Sequence, residues 1–224
     1  MGPEVEPPVD SGLAGGSARR EFEARRSARR ERVRRRLGNV LGEVLLAVTN
    51  ESQSTRAWAQ GAAGEAKLAA ALVGVPNLMV LHDRSVARTR GNLDHLLIAP
   101  AGVFVVDAKN YRGRIEVRNL GLFRADKHLF VGRRDCSKLA DNMRWQVDAV
   151  LGALSGQPGP RPPVTPVLCF VDGDWPLLCR PTEFKGVRLE GTRSIRKLVS
   201  SVPTLDTSAI GRIHHALATA FPPK

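Results

Sequence analysis

The hydrophobic pattern of the chain switches twice between helical spacing and short apolar runs. Residues 18–49 contain no Pro, and Val33, Leu37, Val40, Leu41, Val44, Leu45 and Val48 recur at three- and four-residue intervals. That spacing predicts one long helix, polar in its first half and amphipathic in its second, with Gly38 and Gly42 as weak points. Residues 55–72 predict a second helix with Leu68 and Leu72 inward, closed by Gly74 and Pro76. Strand signals follow at 78–81, 93–98, 103–106, around Ile115 and Val117, and at 129–131. Residues 137–154 carry Leu139, Met143, Val147, Val150 and Leu151 on one helical face. After a Pro/Gly loop at 155–163 come strands at 164–171 and 187–189 and two short closing helices. This order predicts an α/β fold, a mixed central β-sheet flanked by helices, with a long N-terminal helical extension. Three regions are expected: a disordered tail at 1–17, a helical extension at 18–56 and an α/β domain at 57–222.

Charge changes this picture at the N-terminus. The 224 residues carry a formal net charge of +12. Residues 19–36 hold ten Arg against three Glu, a net of +7, so more than half of the excess sits on one predicted helix. Arg25, Arg26, Arg29, Arg30, Arg34 and Arg35 suit contact with a phosphate backbone, where each neutralised phosphate releases a counterion. A solvated helix, an acidic protein partner or a membrane surface are the other readings of such a run. The longest apolar stretch, 40–48, is too short to span a bilayer and contains Glu43. No membrane span and no secretory leader are therefore expected. Three Cys without a CxxC pair argue against a disulfide scaffold or a Cys₄ zinc site, and point to a cytoplasmic protein. The same long helix offers a face for pairing with a second copy.

Two polar interruptions of apolar strands carry the candidate chemistry. Asp107 and Lys109 stand at positions i and i+2 at the end of an apolar strand, so they share a face. Asp94 breaks the apolar run of the strand before, with a turn between them. If the two strands form a hairpin, Asp94 and Asp107 become neighbours and can share a hard cation, Mg²⁺ or Mn²⁺. Such a cation lowers the pKa of bound water and stabilises charge on a phosphodiester. A surface ion pair is the plainer reading of Asp107 and Lys109 alone. His95 should face away from Asp94 as a sheet histidine, and His214 and His215 have no ligand partners nearby in sequence. Trp58, Trp145 and Trp175 lie too far apart in sequence to read as a stacking platform. With 5% aromatic residues, phosphate contacts are expected to outweigh stacking.

Gly61-Ala-Ala-Gly-Glu65, Asn92-Leu-Asp94-His95, the run from Gly102 through Asp107-Ala-Lys109-Asn110-Tyr111 to Gly113, and Gln146 resemble the nuclease-related domain. That family is similar to the PD-(D/E)XK nucleases, so the resemblance implies a restriction-endonuclease-like core. It implies that Glu65, Asp94 and Asp107 hold a metal ion, that Lys109 is the catalytic lysine and that Gln146 supports the site. Many members carry Glu where this chain has Asp107, which would bring the metal closer to the strand. The implied activity is divalent-metal-dependent hydrolysis of nucleic acid, DNA before RNA. The alternative is a nucleic-acid-binding or partner-docking module of the same fold with little or no cleavage. Deleting residues 1–36 is expected to collapse binding under the alternative and to leave residual cleavage under the nuclease reading.

Overall fold

A computed structural model describes residues 9–48, 53–89, 91–121 and 124–224, and excludes the side chains of 36–48 and 53–54. Two helices come first, α1 (Gly16–Val48) and α2 (Gln53–Leu72). Six strands follow: β1 (Met79–Ser85), β2 (Asn92–Ala99), β3 (Gly102–Lys109), β4 (Gly113–Asn119), β5 (Lys127–Val131) and β6 (Arg134–Asp135). Helix α3 (Ser137–Leu154) leads to β7 (Val164–Phe170), β8 (Gly173–Asp174), β9 (Glu183–Phe184) and β10 (Val187–Glu190). Helices α4 (Thr192–Val199) and α5 (Thr207–Ala220) complete the described elements. The helix α1 is continuous through Gly38 and Gly42. The apolar face expected at Val40, Leu41, Val44, Leu45 and Val48 lies outside the described side chains.

The main sheet has the order β1-β2-β3-β7-β10-β9 and is mixed. β1, β2 and β3 are antiparallel neighbours, while β3–β7 and β7–β10 are parallel. A second sheet, β6-β5-β4-β8, stands beside it. Strict alternation divides the apolar residues of the main sheet between two cores. Leu96, Ile98, Val103, Val105, Leu168 and Phe170 face α3 and α5, through Met143, Val150, Ile210 and Leu217. Leu97, Phe104, Val106, Val167 and Cys169 face α2 and α4, through Leu68, Leu72, Ile195 and Val199. Because both faces are covered, the strands read as unbroken apolar runs rather than as alternating ones. In that setting a charged residue within a strand stands out.

The segment at 9–17, expected as part of a disordered tail, runs as a strap beside β1. His82 N–H donates to Ser11 O at 2.7 Å. Arg84, 1% exposed, donates from its guanidinium to the carbonyls of Asp10, Ala218 and Phe221 at 2.8, 3.1 and 2.6 Å. One buried cation thus ties the strap, β1 and the end of α5 together, satisfying carbonyls that burial would otherwise orphan. Among the described residues, no helix is long and apolar enough to cross a membrane.

Candidate active site

The β2–β3 hairpin forms as its sequence predicts. His95 pairs with Val106, and one rung further the antiparallel register sets Asp94 opposite Asp107. That register puts the two carboxyls on the same face of neighbouring strands. Burial, then the proximity of Asp107 and Glu65, raises the Asp94 carboxyl well above its usual range. Lys109 Nζ bonds the Asp107 carboxylate. Burial by itself would lower the Lys109 pKa, but Asp107 and Asp94 beside it hold the ammonium well above its usual value.

Glu65 enters from α2, on the turn before Leu68, and is 6% exposed. Gly15 N–H donates to its Oε2 at 2.8 Å. Burial pushes Glu65 up to about 7, against the opposing pull of that N–H. Asp83, 2% exposed, stands on β1 across from Asp94. It accepts from Ser17 N–H, from Arg20 Nη2 at 3.3 Å and from Asn92 Nδ2 at 2.9 Å. Asn92 also reaches Asp94 Oδ1 at 3.4 Å. The structure therefore joins Glu65, Asp94, Asp107 and Lys109 in one electrostatic cluster and adds Asp83 to them. The sequence did carry a signal for Asp83. It is an Asp two residues beyond an apolar run, and extending β1 past Leu81 would have placed it beside Asp94.

A cleft of about 630 Å³ opens over this cluster. Ser17 and Ala18 of α1 and Trp58, Gln60 and Glu65 of α2 form one side. Asn92, Asp94 and Lys109 lie at its base, and Tyr111, Arg112 and Arg134 form the other side. Asp107 is buried behind Lys109. Gln146 is buried on α3 and is not among the residues lining the cleft. Arg25, Arg26, Arg29, Arg30, Arg34 and Arg35 all lie on α1, the helix that begins at the edge of the cleft.

The remaining candidates are structural. His95 is fully buried on the side of β2 opposite Asp94, with its Nδ1 2.7 Å from His82 Nδ1. Burial, then the neighbouring His82, pushes it down to about 3, so it is neutral. His214 is buried against β1, and burial lowers its pKa as well. A second groove of about 420 Å³, between α3 and β10, contains Asp141 already paired with Lys185 at 2.8 Å.

The donor set of the cluster suits a divalent cation. All its donors are carboxylate oxygens, the chemistry that Mg²⁺ and Mn²⁺ select. Two buried carboxyls side by side repel unless a proton or a cation stands between them. Among the described residues, no three His, Cys, Asp or Glu side chains form a ready cage. Mg²⁺ does not require one, since one or two carboxylates with water and substrate phosphate commonly suffice. Asp94 and Asp107 fit that pattern.

The model of the nuclease-related domain matches residues 60–171, half of the chain. It takes in Glu65, both strands of the hairpin, α3 and β7. The chain belongs to the nuclease-related domain family. No curated protein and no solved structure matches it.

Proposed function

We propose that the protein is a divalent-metal-dependent nuclease that hydrolyses phosphodiester bonds, with DNA as the first substrate to test. One observation carries this reading: Asp94 and Lys109 line an open cleft, with Asp107 opposite Asp94 in the hairpin register and bonded to Lys109. In this reading Asp94 and Asp107 hold Mg²⁺ or Mn²⁺, and Glu65 completes the shell when substrate arrives. The ion would lower the pKa of bound water and neutralise charge on the phosphate. Lys109 stays protonated across the working pH range, so its role is electrostatic. It donates to a phosphate oxygen as negative charge builds there. Asp107 fixes the ammonium in place, and Arg112 and Arg134 draw the strand into the cleft. Gln146, buried on α3, would support the packing beneath the cluster from a distance.

A second reading is a nucleic-acid-binding module with little cleavage. The closed Lys109–Asp107 pair and the Gly15 contact on Glu65 favour it, because both carboxylates already have partners. Cleavage of labelled single-stranded and duplex DNA, with Mg²⁺ or Mn²⁺, separates the two. The nuclease reading expects wild-type cleavage that falls about a hundredfold or more in Asp107→Asn and in Lys109→Ala. Binding without metal-dependent cleavage by wild type would leave the binding module standing, and cleavage equal to wild type in both variants would overturn the assignment of Asp107 and Lys109.

A further inference from the structure

The cleft holds two aromatic rings whose positions were not legible as a pair. Trp58 lies on α2, and Tyr111 lies two residues beyond Lys109. Both line the same cleft as Asp94 and Lys109. Trp58 is 39% exposed, a large apolar face left to solvent beside a charged site.

The two rings are held at a fixed spacing. Gln60, two residues after Trp58, donates from its side-chain amide to the Asn110 carbonyl. Asn110, next to Tyr111, returns a bond from Nδ2 to the Gln60 carbonyl at 3.0 Å. Gly64 lets α2 close on this bridge, since a Cβ there would stand 2.8 Å from Asn110 Cβ. Each ring also has a guanidinium over its face. Arg25 is 5.8 Å from the Trp58 centroid, and Arg134 is 4.7 Å from that of Tyr111. Flat cations over flat rings mark surfaces on which a nucleobase also stacks.

We propose that this site takes its nucleic acid as a single strand, with the unpaired bases beside the scissile phosphate stacked on Trp58 and Tyr111. The inference rests on the nuclease reading for what is cut, but not for how the strand is held. In a duplex the faces of each base are covered by its neighbours, so intact duplex would offer the rings only its backbone. Every base has a π-face, so the contact does not select sequence. Arg25 and Arg134 would shift from the rings to the bases or to the adjoining phosphates. The same rings would serve single-stranded DNA and single-stranded RNA.

The test uses the full chain in metal-free buffer with chelator, so that nothing is cut. Fluorescence anisotropy is read on a labelled oligothymidine, an oligouridine of equal length and a duplex of equal length. Wild type should bind the single strands more tightly than the duplex. Trp58→Ala and Tyr111→Ala should each weaken single-strand binding about tenfold and leave duplex binding unchanged. Trp58→Phe and Tyr111→Phe should restore most of the affinity. The dependence on salt should not move, because every phosphate contact is kept. Equal weakening on duplex and single strand, or none on either, would overturn the inference. If the rings behave as expected but Mg²⁺ and Mn²⁺ yield no cleavage, the stacking site stands and the hydrolytic reading falls. If duplex is cut in preference and both ring variants cut it normally, the reverse holds.

Discussion

Burial holds the Glu65 carboxyl at about 7 where 4.5 is usual, and this has a pH consequence. The folded protein binds that proton more tightly than the unfolded chain does. Its contribution to stability is therefore present below about 4.5 and is lost as pH rises through about 7. In metal-free buffer the loss between these limits is at most about 3 kcal/mol. Glu65→Gln keeps an acceptor for Gly15 N–H and removes the proton. Its melting temperature should fall less steeply from pH 5 to pH 8 than that of wild type. Some slope should remain, because burial raises Asp94 in the same direction. Identical slopes in the two proteins would show that Glu65 does not titrate in this range. At this scale the site was partly legible. Asp94, Asp107 and Lys109 announce themselves because carboxylates and ammonium groups rarely end apolar strands unpaired. Asp83 is legible only by extending β1 past its apolar run, because the apolar signal stops at Leu81 while pairing with β2 continues to Ser85.

The strap is the element that local sequence could not reveal. Its Gly and Ser content reads as disorder, yet its bonds reach residues 50 and more positions away. No window of composition contains such partners. Glycine is required at two of its positions. Gly12 has φ +73°, and a Cβ there would stand 2.2 Å from His82 O. Gly15 has φ +73° as well, and a Cβ would meet the Ala62 backbone at 3.0 Å. Gly12→Val should lift the strap, costing about 2 kcal/mol, while both cores persist. Hydrogen exchange should then quicken at the Gly15 and Ser17 amides and stay slow in β2 and β3. Unchanged exchange at those two amides would mean that the segment stays seated on Glu65 and Asp83 without Gly12. The strap also changes how a truncation is read. Deleting residues 1–36 removes basic charge and, with it, the bonds of the strap to Glu65 and Asp83. Abolished cleavage in that deletion would not separate binding from catalysis.

At the scale of the whole molecule, the sheet and helix content followed from pattern because two covered faces demand long apolar strands. The pairing of β7 with β3 and the position of α1 did not, since both depend on contacts distant in sequence. Their combined effect is a division of charge. Acidic groups gather at the base of the cleft, and a helix about 50 Å long carries Arg away from its edge. Some of that charge is already matched within α1, by Arg19–Glu23, Glu21–Arg25 and Glu31–Arg35 pairs. These pairs are exposed and worth little against a phosphate backbone. Point substitutions that spare the strap test the arm more cleanly than truncation does. Replacing Arg26, Arg29, Arg30 and Arg34 with Gln leaves Gly15, Ser17 and Arg20 in place. If the arm follows the strand, the slope of log affinity against log salt should flatten by about 0.7 for each single-strand phosphate that the arm no longer neutralises. Cleavage at saturating substrate should change little, because Asp94, Asp107 and Lys109 are untouched. An unchanged slope would assign the basic helix to something other than phosphate, and the single strand would be held by the cleft alone.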